Sequence, residues 1–276
     1  MKKLFILLVI LGTLLALYAS CVEPFRLRTV TVEVATPKWP YARPLRIALL
    51  SDMHMIWPWM TPSHLQDIVQ ATNALQPDVV LLLGDFVGTH PFGRQLDADA
   101  ALAPLKTLQA ACGVFAVLGN HDWHPAGDWP AALARTGFPV LQNQALPVDC
   151  QGNRFWVAGL EELWWRHADI NRTLMAVTDA APVVLMMHHP DSFPDVPERV
   201  ALSVAGHTHG GQIQLPFYGS VAAVIPSRYG LRYVYGLIAE NGKQLVVTSG
   251  LGMTGVPFRL LAVPEIMLVT LRQPRS

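Results

Sequence analysis

Aspartate, asparagine and histidine recur in five short clusters. Asp52 and His54 lie in Ser51-Asp52-Met53-His54, and Asp85 in Gly84-Asp85-Phe86-Val87-Gly88. Asn120, His121 and Asp122 lie in Gly119-Asn120-His121-Asp122, and His188 and His189 precede Pro190-Asp191. His207 and His209 lie in Gly206-His207-Thr208-His209-Gly210-Gly211-Gln212. Singly, each reads equally well as a capped turn or a loop histidine; together they supply oxygen and imidazole donors and no thiol. Such donors suit borderline-to-hard divalent ions such as Mn²⁺, Fe²⁺ or Zn²⁺ and argue against a structural zinc. They outnumber the needs of one tetrahedral ion. Two ions about 3.5–4 Å apart, bridged by a carboxylate, form the clamp used for in-line displacement at phosphorus. The glycines beside His207 and His209 are expected to leave room for ions and a phosphate-bearing substrate.

The elements behind these clusters are legible. Each cluster follows a short, continuously apolar run, at 47–50, 79–83, 114–118, 183–187 and 201–205, with a sixth run at 155–158. Such runs read as strands covered on both faces. Open α/β sheets bind ligands at the carboxyl ends of their strands, so the five clusters should meet on one rim. Helices are expected at 61–74 with Pro62 at its first position, at 96–111, at 128–137 behind Asp128 and ending at Gly137, and at 169–180. An alternating run at 29–34 reads as a half-buried strand. Further strands are expected at 233–239, 244–248 and 266–271, with Asn241-Gly242 as a hairpin turn.

At 276 residues the chain can bury a substantial core, and 20 basic against 20 acidic residues give no field favouring nucleic acid. The mean hydropathy of +0.31 has a local source. Lys2 and Lys3 precede an apolar run from Leu4 to Val22, long enough to cross a bilayer core. It reads as an uncleaved anchor, with a cleaved signal or a lipoprotein ending at Cys21 as alternatives. Basic residues on both flanks leave its orientation open. The expected organisation is a membrane anchor or signal segment at 1–22, a connecting strand and linker at 23–44, and one α/β domain at 45–276. Cys21, Cys112 and Cys150 form neither a disulfide framework nor a zinc knuckle by number and spacing, and they do not fix a redox compartment.

The complete series Ser51-Asp52-x-His54, Gly84-Asp85, Gly119-Asn120-His121-Asp122, His188 and Gly206-His207-x-His209 resembles, in order, the motif set of the calcineurin-like metallophosphoesterases. His207-Thr208-His209-Gly210-Gly211-Gln212 and the tail Ser249-Gly250-Leu251-Gly252, Gly255-Val256-Pro257 and Pro264-Glu265-Ile266 resemble the membrane-associated bacterial branch that includes UDP-2,3-diacylglucosamine pyrophosphatases of lipid A synthesis. The resemblance implies a sandwich of two mixed β-sheets flanked by α-helices, following an N-terminal transmembrane helix in the bacterial cytoplasmic membrane. It implies Asp52, His54 and His209 on one metal, Asn120, His188 and His207 on the second, and Asp85 bridging. His121, oriented by Asp122, would sit over the scissile phosphate while a metal-bridged hydroxide attacks. His188 is favoured over His189 because the family's histidine stands two residues before proline.

Other residues carry weaker signals. His64, His90, His124 and His167 read as surface or supporting groups, and Glu161-Glu162 as a possible rim. Trp57, Trp59, Trp164 and Trp165 read as a lip for a lipid substrate, as a membrane-facing patch or as ordinary packing. The expected activity is hydrolysis of a phosphodiester or pyrophosphate, on a lipid-linked substrate such as UDP-2,3-diacylglucosamine. The alternatives are a general phosphodiesterase or phosphatase, and an anchored binding protein without catalysis.

Overall fold

A computed structural model describes residues 1–125, 127–221 and 225–274. Helix α1 (Lys2–Cys21) carries the apolar N-terminal run. It is one helix long and apolar enough to cross a membrane, and its flank is almost wholly exposed.

Two sheets face each other behind it. The first contains β1 (Arg28–Ala35), β13 (Glu265–Arg272), β2 (Leu45–Leu50), β3 (Val79–Leu82) and β4 (Val114–Ala116), in that spatial order. β2, β3 and β4 run parallel, β13 runs antiparallel to β2, and β1 lies parallel to β13. β1, in the segment expected to connect anchor and domain, is thus the outer strand of this sheet. The second sheet contains β11 (Gly236–Glu240), β12 (Lys243–Val247), β8 (Leu202–Ala205), β7 (Val183–Met186), β6 (Asn153–Gly159) and β5 (Gln144–Cys150). Its four central strands are parallel and its two edges pair antiparallel, while β9 (Gln214–Leu215) and β10 (Gly219–Ser220) form a separate antiparallel ribbon.

Pleating explains the unbroken apolar runs. Leu45, Ile47 and Leu49 face the gap between the sheets with Val157, Met186 and Val204, while Ala48 and Leu50 pack outward under the helices. Both faces of each central strand are therefore dry, and no polar alternation survives in the sequence. Helices α2 (Pro62–Ala74), α3 (Ala98–Leu102) and α4 (Trp129–Ala134) cover the first sheet. On the second sheet, Ala158, Leu185, Leu245 and Val247 pack with Phe193, Tyr233 and α5 (Ile170–Met175).

Some elements differ from expectation. The 96–111 helix is only α3 and a following 3-10 turn, because Pro104 cannot extend an α-helical ladder. α5 stops at Met175, short of Ala180; Asp179 instead turns the chain by accepting the Ala181 N–H and the Trp156 indole. The strand expected from Tyr233 starts at Gly236, after a 3-10 turn ending at Tyr233. Asn241-Gly242 does close the β11–β12 hairpin, both with positive φ. The cysteine reading is corrected as well. Cys112 and Cys150 form a disulfide with Cα atoms 5.4 Å apart, tying the segment before β4 to the end of β5. Their 38-residue separation hides in sequence a proximity created by sheet stacking.

Candidate metal centre

β2, β3 and β4 of the first sheet and β7 and β8 of the second all end at one pole, and the five clusters meet there. Asp52, His54, Asp85, His188, His207 and His209 are buried, and Asn120 and His121 half-buried. Three backbone carbonyls set the imidazole tautomers. His54 Nδ1 donates to Val87 O (3.0 Å), His188 Nδ1 to Leu83 O (2.7 Å) and His207 Nε2 to Pro226 O (2.8 Å). A carbonyl can only accept, so the bonded nitrogen of each ring carries a proton and the other nitrogen is turned toward the centre.

Those nitrogens face one another. His188 Nε2 lies 3.2 Å from His207 Nδ1 and 3.2 Å from Asn120 Oδ1; His54 Nε2 lies 3.1 Å from His209 Nε2. Apposed buried lone pairs repel unless a cation or a proton lies between them. The spacings match the edge of a coordination shell: ligands about 2.1 Å from one ion lie about 3.0–3.4 Å apart. Asp85 Oδ2 is within 3.2 Å of His188 Nε2 and 3.6 Å of His54 Nε2, so one carboxylate oxygen serves both groups. Asp52 Oδ1 stands 3.5 Å from His209 Nε2, and both Asp52 oxygens take the His207 N–H. The donor set thus fits two divalent ions sharing Asp85.

The electrostatics agree with ligand chemistry. Burial pushes His54 down to about 3 and holds His207 and His209 well below the usual imidazole range, leaving neutral rings. Burial also opposes charge on Asp85, but His188 beside it holds the carboxyl well below the ordinary carboxylate range. Burial raises Asp52 to about 6.

Backbone geometry at the site is unusual. Asp52, His54, Asp85, His207 and His209 all have positive φ, between 46° and 70°, a region costly for side chains other than glycine. Two glycines make space at the site. A Cβ at Gly206 would strike Ser51 Oγ and Asp52, and one at Gly119 would strike the Asp85 carboxylate. They clear room for the Asp52 and Asp85 side chains.

The expected contact from Asp122 to His121 is replaced by another arrangement. The Asp122 carboxylate accepts the backbone N–H groups of Asp85, Phe86, Val87 and Gly119 at 2.6–3.2 Å. Its reach is taken up by the turns that carry Asp85 and Asn120. His121 is held instead by Thr89 Oγ1, 3.0 Å from Nδ1, with Thr254 Oγ1 3.3 Å from Nε2.

The family model for calcineurin-like phosphoesterases matches residues 45–211. The chain belongs to the calcineurin-like phosphoesterase family. Members are metal-dependent phosphoester hydrolases that use two divalent ions, in agreement with the paired donor groups. The chain is 32% identical to the uncharacterized metallophosphoesterase YkuE of Bacillus subtilis over 92% of its length and 89% of that protein. It is 30% identical to the phosphodiesterase YaeI of Escherichia coli, covering 83% of each chain. It is 29% identical to a zebrafish (Danio rerio) transmembrane protein with metallophosphoesterase domain, over 97% of this chain and 62% of that one.

One residue of this phosphoesterase site escaped the sequence reading. Arg259 is wholly buried; its guanidinium bonds Gly252 O, Ser249 O and Ala262 O at 2.6–2.8 Å and lies 3.4 Å from His209 Nδ1. A lone arginine inside the apolar, glycine-rich 250–264 tail was the available signal. Glu162 accepts from the Trp164 and Trp165 amides and holds His189 Nε2 at 2.7 Å, while the His189 ring lies 3.9 Å from that of His207 and brings a donor nitrogen within 4.8 Å of those of His188 and His207. Of the expected surface histidines, His124 and His167 are exposed, His64 is half-buried and His90 is buried beside Trp59.

Proposed function

We propose that the protein hydrolyses a phosphodiester or pyrophosphate borne by a lipid, with residues 1–22 as a single-pass anchor and the domain from 45 to 276 as the catalyst. Asp52, His54 and His209 hold one ion, Asn120, His188 and His207 the other, and Asp85 is common to both. The observation that carries the dinuclear reading is the Asp85 Oδ2 atom, within 3.6 Å of an imidazole nitrogen of each group. When bound, two such ions neutralise phosphoryl oxygens and acidify an attacking water. Manganese, iron and zinc all suit the donors.

The chain's own residues do the rest. Asp122 fixes the turns that aim Asp85 and Asn120. Thr89 fixes His121 Nδ1, so that Nε2, resting on Thr254, can turn to a substrate oxygen and donate a proton to the leaving group. Trp123, Trp165, His124 and Thr89 line a cavity of about 500 Å³ beside His121 that can take one arm of a diester. A diester is favoured by the likeness to a relative named as a phosphodiesterase, and a lipid by the apolar helix and by a relative named as a transmembrane protein. UDP-2,3-diacylglucosamine is one substrate of this class; balanced charge disfavours nucleic acid.

The test is a metal-loaded screen across bis(p-nitrophenyl) phosphate, p-nitrophenyl phosphate, lipid pyrophosphates, nucleotides and phosphoproteins. Asp85→Ala should lose turnover and bound metal together. Full activity in that variant would exclude the shared-carboxylate mechanism. Metal binding without turnover above the level of His121→Ala would instead mark an anchored binding protein.

A further inference from the structure

The foot of α1 is built into the metal centre. Arg259 donates its backbone N–H to Ala19 O (2.9 Å) while its side chain reaches the Ser249-to-Gly252 loop and His209. The Trp59 indole donates to Ser20 O (3.0 Å), and the buried Glu23 carboxylate takes the Ala262 N–H (3.0 Å). A small cavity lies between Pro24, just past the helix, and the ligand His54. Only 22–27 separate the end of α1 from β1.

Length decides what this contact means. A helix rises about 1.5 Å per residue, and a hydrocarbon core of about 30 Å needs about 20 residues. α1 has 20. The whole helix is required to cross, so none of it is left as a stalk, and its last turn already touches the domain. Leu17 is 54% exposed, whereas Ala19 is 5% exposed, so the domain begins to cover one face of the helix at its last turn, which is the edge of the domain.

The surroundings suit that edge. Tyr18 accepts from Arg26 at 2.8 Å, and Trp59 stands at the same level, the residue types that settle at headgroup depth. Around them Phe25, Phe92, Val256 and Leu261 are 45–75% exposed. Phe25 stacks on His64, whose ring bonds Trp59 O, and Phe92 packs on His90 beside Trp59. Val256 and Leu261 flank Arg259. These apolar side chains form a collar around a helix foot that lipid must surround first, which commits the face to a bilayer rather than to a protein partner.

We propose that this collar rests on the bilayer and holds the metal centre at the level of the lipid headgroups, so that its substrate is a phosphoester whose phosphorus lies in that layer. The inference rests on the anchor reading above. It fixes where on the lipid the scissile bond must be: in the head region, within reach of a domain that cannot lift away.

The full chain in phosphatidylcholine vesicles tests it. In a Cys21→Ser background, single cysteines replacing Phe92, Val256 or Leu261 carry an environment-sensitive fluorophore, and lipids with a headgroup nitroxide act as quencher. Gln109→Cys, at the opposite pole where the strands begin, is the reference. The three collar labels should lose most of their fluorescence and the Gln109 label almost none. Collar labels as bright as the reference, in protein that resists alkaline extraction, would overturn the inference and leave the anchor intact. Release by alkaline extraction would overturn the anchor reading itself.

Discussion

Asp122 accepts the backbone N–H of Asp85 at 2.9 Å, so the residue shared by both halves of the site is held by its main chain as well as its own carboxylate. The same carboxylate collects three further amides, from Phe86, Val87 and Gly119. Asp122 is thereby a clamp between the ends of β3 and β4, and His121 next to it is free for chemistry.

These neighbouring residues should therefore fail differently. Asp122→Ala leaves four buried amides without their acceptor, at about 1–3 kcal/mol for each one that stays unpaired. Denaturant unfolding should show that loss, with weaker metal retention. His121→Ala should keep stability and metal while kcat falls by about 10²–10⁴, the usual range for a proton-transfer group. If Asp122→Ala unfolds like the parent and loses only kcat, Asp122 works through His121 after all.

Metal uptake should depend on pH through His188. Burial disfavours its charged form, but Asp85 at 3.2 Å overcomes this and raises it to about 10. A folded value above the ordinary imidazole value, about 6.5, means that in the metal-free protein this pair stabilises fully below about pH 6.5. That contribution disappears as pH rises through about 10. A metal needs the same nitrogen unprotonated, so binding displaces the proton, and affinity should rise about tenfold per pH unit for that step across neutrality. Calorimetry in buffers of differing ionisation enthalpy measures the released proton. Affinity that stays flat from pH 6 to 8 would remove His188 from the ligand set.

The Cys112–Cys150 bridge lies away from the metal pole and should matter for stability alone. Replacing both cysteines by serine should cost about 2–4 kcal/mol and lower Tm, with kcat unchanged. Mass-tagging of free thiols in protein extracted without reductant should label only Cys21. Disulfides persist on the non-reducing side of a membrane, so this labelling also reports where the domain lies. Tagging of all three thiols would place the chain in a reducing compartment with the bridge open.

Arg259 should act on metal affinity rather than on chemistry. Its guanidinium braces Ser249 and Gly252 behind Asp52 and lies against His209, and supporting groups of this kind alter metal affinity by about 10–100-fold. Arg259→Met should bind Mn²⁺ more weakly yet regain much of its kcat at saturating metal, with Arg259→Lys between the two. Unchanged affinity in Arg259→Met would dismiss the positioning role.

The central strands were legible because dry-faced strands leave unbroken apolar runs, and the donor clusters were legible because they stand at the ends of those runs; β5 carries no such run and was not foreseen. Helix lengths were less legible. The apolar period around 96–111 continues through Pro104 although the backbone ladder cannot. Partnerships between side chains were least legible. Asp122 adjoins His121 in sequence, but a 3-10 turn directs its carboxylate back to Asp85. Arg259 and His209 are 50 residues apart, and nothing local announces their contact. The cysteine pair was hidden for the same reason, since stacking of two sheets is a property of the whole chain.

The left-handed backbone at Asp52, His54, Asp85, His207 and His209 has a further consequence. These turns hold donors in conformations that glycine would adopt at far lower cost, and they keep imidazole nitrogens opposed in a dry pocket. A bound cation relieves the opposition and favours the folded state by about 2.7 kcal/mol at a hundredfold excess over its Kd. Without it the rim loops are the region most ready to open. In the cell, cation supply would then govern how long the protein escapes proteolysis as well as how fast it turns over.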